Sequence, residues 1–234
     1  MPSRARPAQA PALELEGSDS QTAAMRPARE KSAFDSINEI ATIHIELRYT
    51  YPIIWRQVEI PTSITLKVLH DTIQAVMGWL NLPLWEFTIG GQKYAMPIAK
   101  KAAARFDANR VRMRDVLNPQ KTIIDYSYGL GGRWAHQLTV TDIRTGQPDL
   151  FYPRYLGGEC NAPPELCGGI SGFYEMLEAI ANPNHQDHVQ FKQWFDEYDP
   201  RIVDELPIKY ALSRIANRRN AAKVRLAKKS ETTS

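Results

Sequence analysis

Residues 41–61 read ATIHIELRYTYPIIWRQVEIP, and their alternation decides the fold class. Ile43, Ile45 and Leu47 fall on one side of an extended chain, with His44, Glu46 and Arg48 on the other. That period of two marks a half-buried strand. After a turn at Thr50-Tyr51-Pro52, Ile54, Arg56, Val58 and Ile60 alternate with Ile53, Trp55, Gln57 and Glu59 until Pro61 stops the run. The two runs form an antiparallel hairpin.

From Thr65 to about Trp79 the spacing changes to threes and fours, with Leu66, Leu69, Ile73 and Val76 on one stripe. Thr62 or Ser63 supplies the cap and Gly78 the stop. A second hairpin follows, LWEFTIG and QKYAM, turned by Gly90-Gly91. Residues 110–117 give one helical turn before Pro119, and 121–128 and 134–143 are two further strands joined through Gly129, Gly131 and Gly132. The class is therefore α+β: a mixed, mostly antiparallel sheet with a ββαββ start, covered by C-terminal helices.

Residues 152–174, YPRYLGGECNAPPELCGGISGFY, show neither helical nor strand period and read as a long shaped loop folding back over a sheet edge or face beside the 126–136 hairpin. Helices are predicted over 171–181 and from 184 or 187 to 199, the latter with Val189, Phe191, Trp194 and Phe195 apolar. A last helix over 207–228 carries Ile208, Leu212, Ile215, Ala222 and Leu226 as a stripe that Arg219 interrupts, so its first half docks and its second projects. Residues 1–35, rich in Ala, Pro, Arg, Ser and Glu, read as a disordered leader. The organisation is thus leader 1–35, domain 36–206, and basic helix and tail 207–234.

A hydrophobic fraction of 43% over 234 residues supports a real core. No apolar run approaches the length needed to cross a bilayer and no secretory apolar segment opens the chain, so a cytoplasmic protein without a membrane partner is expected. Two cysteines make no disulfide framework. The formal charge of +3 is unevenly placed. Lys209, Arg214, Arg218, Arg219, Lys223, Arg225, Lys228 and Lys229 are eight cations with no acid among them, which leaves −5 for the rest. Such a helix offers a contact for nucleic acid or an acidic protein, with Arg214, Arg218, Arg219, Lys223 and Arg225 as its candidates.

Five blocks, taken in order, resemble one family. They are TYPIIWRQVEIP, HDTIQAVMGW, YSYGLGGRWAH at 126–136, the PPELCGG run at 163–169, and NPNHQDH with the following YDP at 198–200. On these the chain is similar to the plasmid pRiA4b ORF-3-like family, also labelled a resolvase-type passenger protein of insertion elements, over roughly residues 40–228. In that family's pattern Tyr126, Tyr128, Gly131, Trp134 and His136 are matched, whereas Gly129, Gly132 and Leu166 stand where aspartates are usual. The resemblance implies an accessory protein of plasmid or mobile-element context. None of the five histidines has Arg three residues on, so the His-x-x-Arg element of tyrosine recombinases is lacking.

Candidate binding residues are Tyr126, Trp134, His136, Arg154, Glu165, His185 and His188. A base, a phenol and a carboxylate in His136, Tyr126 and Glu165 offer general acid/base chemistry, the competing reading being a metal-dependent hydrolase that adds His185 and His188. Cys160, Cys167, His136, His185 and His188 are zinc-type ligands, but a Cys-x6-Cys spacing with a distant His pair is not a zinc module, so neither metal nor cofactor is assigned. The plainer reading packs the cysteines as small hydrophobes and uses the histidines as caps. Three or more of the five tryptophans are expected in the core.

Overall fold

The computed structural model of the chain describes residues 39–97, 106–118, 122–129 and 134–231. The leader 1–35 and residues 130–133 of the glycine turn lie outside them. The opening hairpin is β1 (Glu39–Leu47) and β2 (Ile54–Pro61), paired antiparallel with Ile45 opposite Arg56 and Leu47 opposite Ile54. Helix α1 (Leu66–Met77) follows; Thr65 caps it by accepting from the Val68 N–H, and Gly78 ends it in the left-handed region at φ 69°. The second hairpin is β3 (Trp85–Ile89) and β4 (Gln92–Ala95), with Gly90 and Gly91 both at positive φ in the two-residue turn. Then come β5 (Phe106–Asp107), the single turn α2 (Met113–Val116), and the pair β6 (Ile123–Tyr128) and β7 (Trp134–Thr145).

These strands form one sheet in the order β5-β4-β3-β6-β7-β1-β2-β8, antiparallel throughout except where β5 runs parallel to β4. The eighth strand, β8 (Arg154–Glu159), corrects the reading of residues 152–174 as a loop without regular structure. It pairs with β2 and closes that edge of the sheet. Gly157 and Gly158 hide its strand period, and Gly158 is required: a Cβ there would meet the Trp55 carbonyl oxygen at 2.6 Å, Arg56 Cδ at 2.7 Å and the Tyr155 hydroxyl at 2.7 Å.

Helix α3 (Gly169–Ala181) buries Phe173, Met176 and Ala179. Helix α4 (His188–Phe195) packs on α3 with Phe191 and Phe195 half-buried against the core, while Val189 and Trp194, expected on the same apolar face, are exposed. Trp79, Trp85 and Trp134 are the buried tryptophans. Helix α5 (Glu205–Glu231) packs against α1 and β8 through Ile208, Leu212, Ile215 and Ala216. Its described residues from Ala221 onward are exposed, so the helix docks by its first half and projects by its second.

One core fills the space between the helices and the inner sheet face, with Ile43, Ile45, Val58, Leu69, Ile73, Phe87, Ile124 and Leu138 at 0% exposure. Each such side chain contributes about 1.5–3 kcal/mol by leaving water. On the outer face Asp125 and Ser127 are exposed, Glu46, Trp55, Gln57 and Gln137 half-buried, and Glu59 buried where Arg144 and Arg154 meet it. No described helix is long and apolar enough to cross a membrane.

Candidate functional site

His70 and Gln74 lie one turn apart on α1, which puts both side chains over β6. They meet the buried Tyr126 hydroxyl, at 2.7 Å from His70 Nδ1 and 3.1 Å from Gln74 Nε2. On its other side His70 Nε2 lies 2.5 Å from the Asn81 Oδ1 amide oxygen, which accepts only. Nε2 therefore carries the proton and Nδ1 accepts from Tyr126. The Asn81 N–H donates to Gln74 Oε1 at 3.1 Å and closes the ring of bonds. Asn81 sits at φ 64°, a conformation asparagine tolerates better than most residues. Burial pushes the His70 imidazole down to about 4, with the Asn81 bond opposing, and Trp85 stacks on it at 4.2 Å. His70, Gln74, Asn81 and Trp79 were not among the predicted site residues; the sequence signal for the first two was a polar i, i+4 pair beside Leu69 and Ile73.

Next to this ring, residues 161–167 are stapled over the start of β7. The Tyr128 hydroxyl donates to Glu165 Oε1 and accepts from the Leu82 N–H at 2.7 Å. Glu165 Oε2 accepts from the Leu80 N–H at 2.7 Å, and the Glu165 carbonyl accepts from Trp134 Nε1 at 3.3 Å. Trp79 Nε1 donates to the Pro163 carbonyl at 2.9 Å while its ring stacks on Tyr128 at 5.3 Å. The predicted placement of this loop beside the 126–136 hairpin holds.

His136 stands directly opposite Tyr126 in the β6–β7 ladder and is 1% exposed, edge-on to Trp79 at 5.4 Å. Neither ring nitrogen has a hydrogen-bond partner of ordinary geometry. Burial pushes its pKa down to about 3, opposed in part by the Tyr126 backbone, so it is a neutral imidazole at physiological pH. Proton transfer calls for a pKa near the working pH and a substrate within reach. His136 is closed off from solvent, and both Glu165 oxygens are engaged by Tyr128 and Leu80.

Tyr126, Trp134, His136 and Glu165 are thus brought together, and the other predicted residues lie elsewhere. Arg154 pairs with Glu59 at 3.5 Å, where Arg144 also meets that carboxylate. His188 Nδ1 donates to the Ala179 carbonyl at 2.7 Å and pins α4 to α3, while His185 Nδ1 accepts from the Asp187 N–H at 3.2 Å. His188 thus satisfies a carbonyl of the last turn of α3, and His185 orders the turn before α4. Cys160 and Cys167 are free thiols, and burial pushes Cys167 up to about 11. Among the described residues no three His, Cys, Asp or Glu side chains gather as a metal-holding group.

Arg56 departs from any surface role. It is 1% exposed, and its guanidinium donates to four backbone carbonyls: Val76 at 3.1 Å, Trp55 at 2.7 Å, Glu159 at 3.0 Å and Cys160 at 2.8 Å. It joins the last turn of α1 to the end of β8, where a cation also suits the helix dipole.

On α5, burial sorts the candidate cations. With 100° per residue, Arg214, Arg218 and Arg225 fall within about 40° of one another, and all three are exposed. Arg219 falls instead on the stripe of Leu212, Ile215 and Ala216, and its guanidinium reaches Ser63 Oγ at 3.1 Å. Burial lowers its pKa accordingly. The Lys223 side chain lies outside the described residues.

A mostly antiparallel sheet with helices on its core side and an aromatic and carboxylate staple between α1, β6 and the post-β8 loop places the chain in the α+β class. Residues 39–206 match the plasmid pRiA4b ORF-3-like family, and the chain belongs to it. It is 30% identical over 191 residues to "Uncharacterized protein y4hQ" of Sinorhizobium fredii (strain NBRC 101917 / NGR234), covering 75% of this chain and 96% of that one. A crystal structure of a protein of unknown function from Methanosarcina mazei Go1, MM3350, superposes with a TM-score of 0.65 at 25% identity, covering 71% of this chain and 95% of that one.

Proposed function

We propose that the chain is a non-enzymatic accessory protein that contacts nucleic acid through α5. One observation carries the reading. Arg214, Arg218 and Arg225 share one exposed stripe of a helix whose opposite stripe, Ile208, Leu212, Ile215 and Ala216, is anchored in the core. A helix fixed on one side presents its cations in a set direction, and cations in a row neutralise phosphates with release of counterions. The family, named for a plasmid open reading frame, is in keeping with that setting. The buried His70, Gln74 and Tyr126, closed by the exposed Asn81, and the Glu165 staple serve as scaffold, because the bonds among them hold α1, β6 and the loop after β8 together.

Titration of a labelled DNA duplex with the full chain tests the proposal. The wild type binds, and the variant Arg214→Gln, Arg218→Gln, Arg225→Gln binds at least about tenfold more weakly at the same salt. Equal binding by the two, or no binding by the wild type, overturns it.

A further inference from the structure

The outer sheet face carries a row of residues set by strand register: Glu159 opposite Trp55, Trp55 opposite Glu46, Glu46 opposite Gln137, and Gln137 opposite Asp125. Directly paired residues share a face, so this row crosses five neighbouring strands in a line. Glu159 and Asp125 are exposed, and Glu46 and Trp55 are half-buried. Adjacent strands lie about 4.8 Å apart. Measured from Glu46, Trp55 therefore stands about 4.8 Å and Glu159 about 9.6 Å in one direction, and Asp125 about 9.6 Å in the other.

The exposed stripe of α5 has the complementary pattern. At a rise of 1.5 Å per residue, Ala221 stands about 4.5 Å and Arg225 about 10.5 Å beyond Arg218, with Arg214 about 6 Å behind it. Ala221 falls on the same stripe as the arginines and is exposed. Arg218, Ala221 and Arg225 thus complement Glu46, Trp55 and Glu159 in charge and size and match them in spacing. The small alanine lets the helix approach the indole, and Arg214 lies on the Asp125 side.

A copy's own α5 cannot make this contact, because Ile208, Leu212, Ile215 and Ala216 hold it on the other side of the sheet against α1 and β8. We infer that the outer face of the sheet is a docking surface for the α5 arginine stripe of a second copy, laid across the strands. Self-association would then occupy the cations proposed to contact nucleic acid, so the two bindings compete. The inference stands on the register match and not on the nucleic-acid reading.

Sedimentation velocity of the full chain tests it, at about 50 mM and about 500 mM salt, since screening at the higher strength reaches pair distances. The wild type associates at low salt and dissociates at high salt. Glu46→Lys with Glu159→Lys is monomeric at low salt, as is Arg218→Glu with Arg225→Glu, and an equimolar mixture of the two variants associates again. Monomeric wild type at low salt, association unchanged in either variant, or no recovery on mixing overturns the inference. The Glu46→Lys, Glu159→Lys variant keeps its arginine stripe, so DNA titration of that variant reads the nucleic-acid proposal separately: self-association of the wild type together with no DNA binding by this variant removes only the nucleic-acid proposal.

Discussion

The Tyr128 hydroxyl donates to the Glu165 carboxylate, joining β6 to the loop that leads into α3. The bond bridges 37 residues of sequence and sets where that loop lies. With Leu80 on the second carboxylate oxygen, Glu165 also fixes the segment after α1. A hydrogen bond to a charged group contributes about 1.5–3 kcal/mol. Glu165→Ala is therefore expected to lower unfolding stability by about 2 kcal/mol in urea melts. Combined with Tyr128→Phe it is expected to show coupling, the pair costing less than the sum of the single changes.

Acid should destabilise the fold through its two buried neutral histidines. The unfolded value is about 6.5, and in the folded chain His70 is pushed down to about 4 and His136 to about 3. Below 6.5 the unfolded chain takes up protons that the folded chain refuses, so stability present above that pH is lost as pH falls toward the folded values. At pH 5 the loss is about 2 kcal/mol for each histidine. Urea melts at pH 7 and pH 5 should differ accordingly, and His136→Phe should reduce the difference.

That same variant reports on the orphan nitrogens. Replacing an unpartnered buried imidazole with an apolar ring of similar shape removes a desolvation penalty of about 1–3 kcal/mol. His136→Phe is expected to match or exceed wild-type thermal stability, whereas a large loss would show that the imidazole has a polar partner in solution.

Gly158→Ala should destabilise by about 1–3 kcal/mol, the usual cost of forcing a methyl into a packed site. The new Cβ would press on backbone at Trp55 as well as on Arg56 and Tyr155. Shortening only the phenol, by Tyr155→Phe, should therefore recover little of the loss in thermal melts.

The legible parts of the fold were those whose pattern is local. The 41–61 alternation, the Leu66–Val76 stripe with its Gly78 stop, and the Gly90-Gly91 turn each carry their geometry in consecutive residues. Strand β8 was hidden because two glycines break its pattern, and Gly158 answers to Trp55 and Arg56 on the neighbouring strand and not to strand propensity. At the site, Tyr126, Trp134, His136 and Glu165 were named from sequence. Their partners His70, Gln74 and Asn81 were not, since only the packing of α1 on β6 brings those side chains to Tyr126. The helical period alone separates Arg219 from Arg214, Arg218 and Arg225, yet a list of cations treats all four alike.

The most direct test of the α5 proposal is the slope of log K against log salt for duplex DNA. Each phosphate neutralised contributes about −0.9, so three arginines contribute about −2.7. The wild type is expected to show a slope at least that steep, and Arg214→Gln, Arg218→Gln, Arg225→Gln to flatten it by about 2.7. A wild-type affinity indifferent to salt, or a slope unchanged in the triple variant, would contradict the proposal that this stripe is the contact.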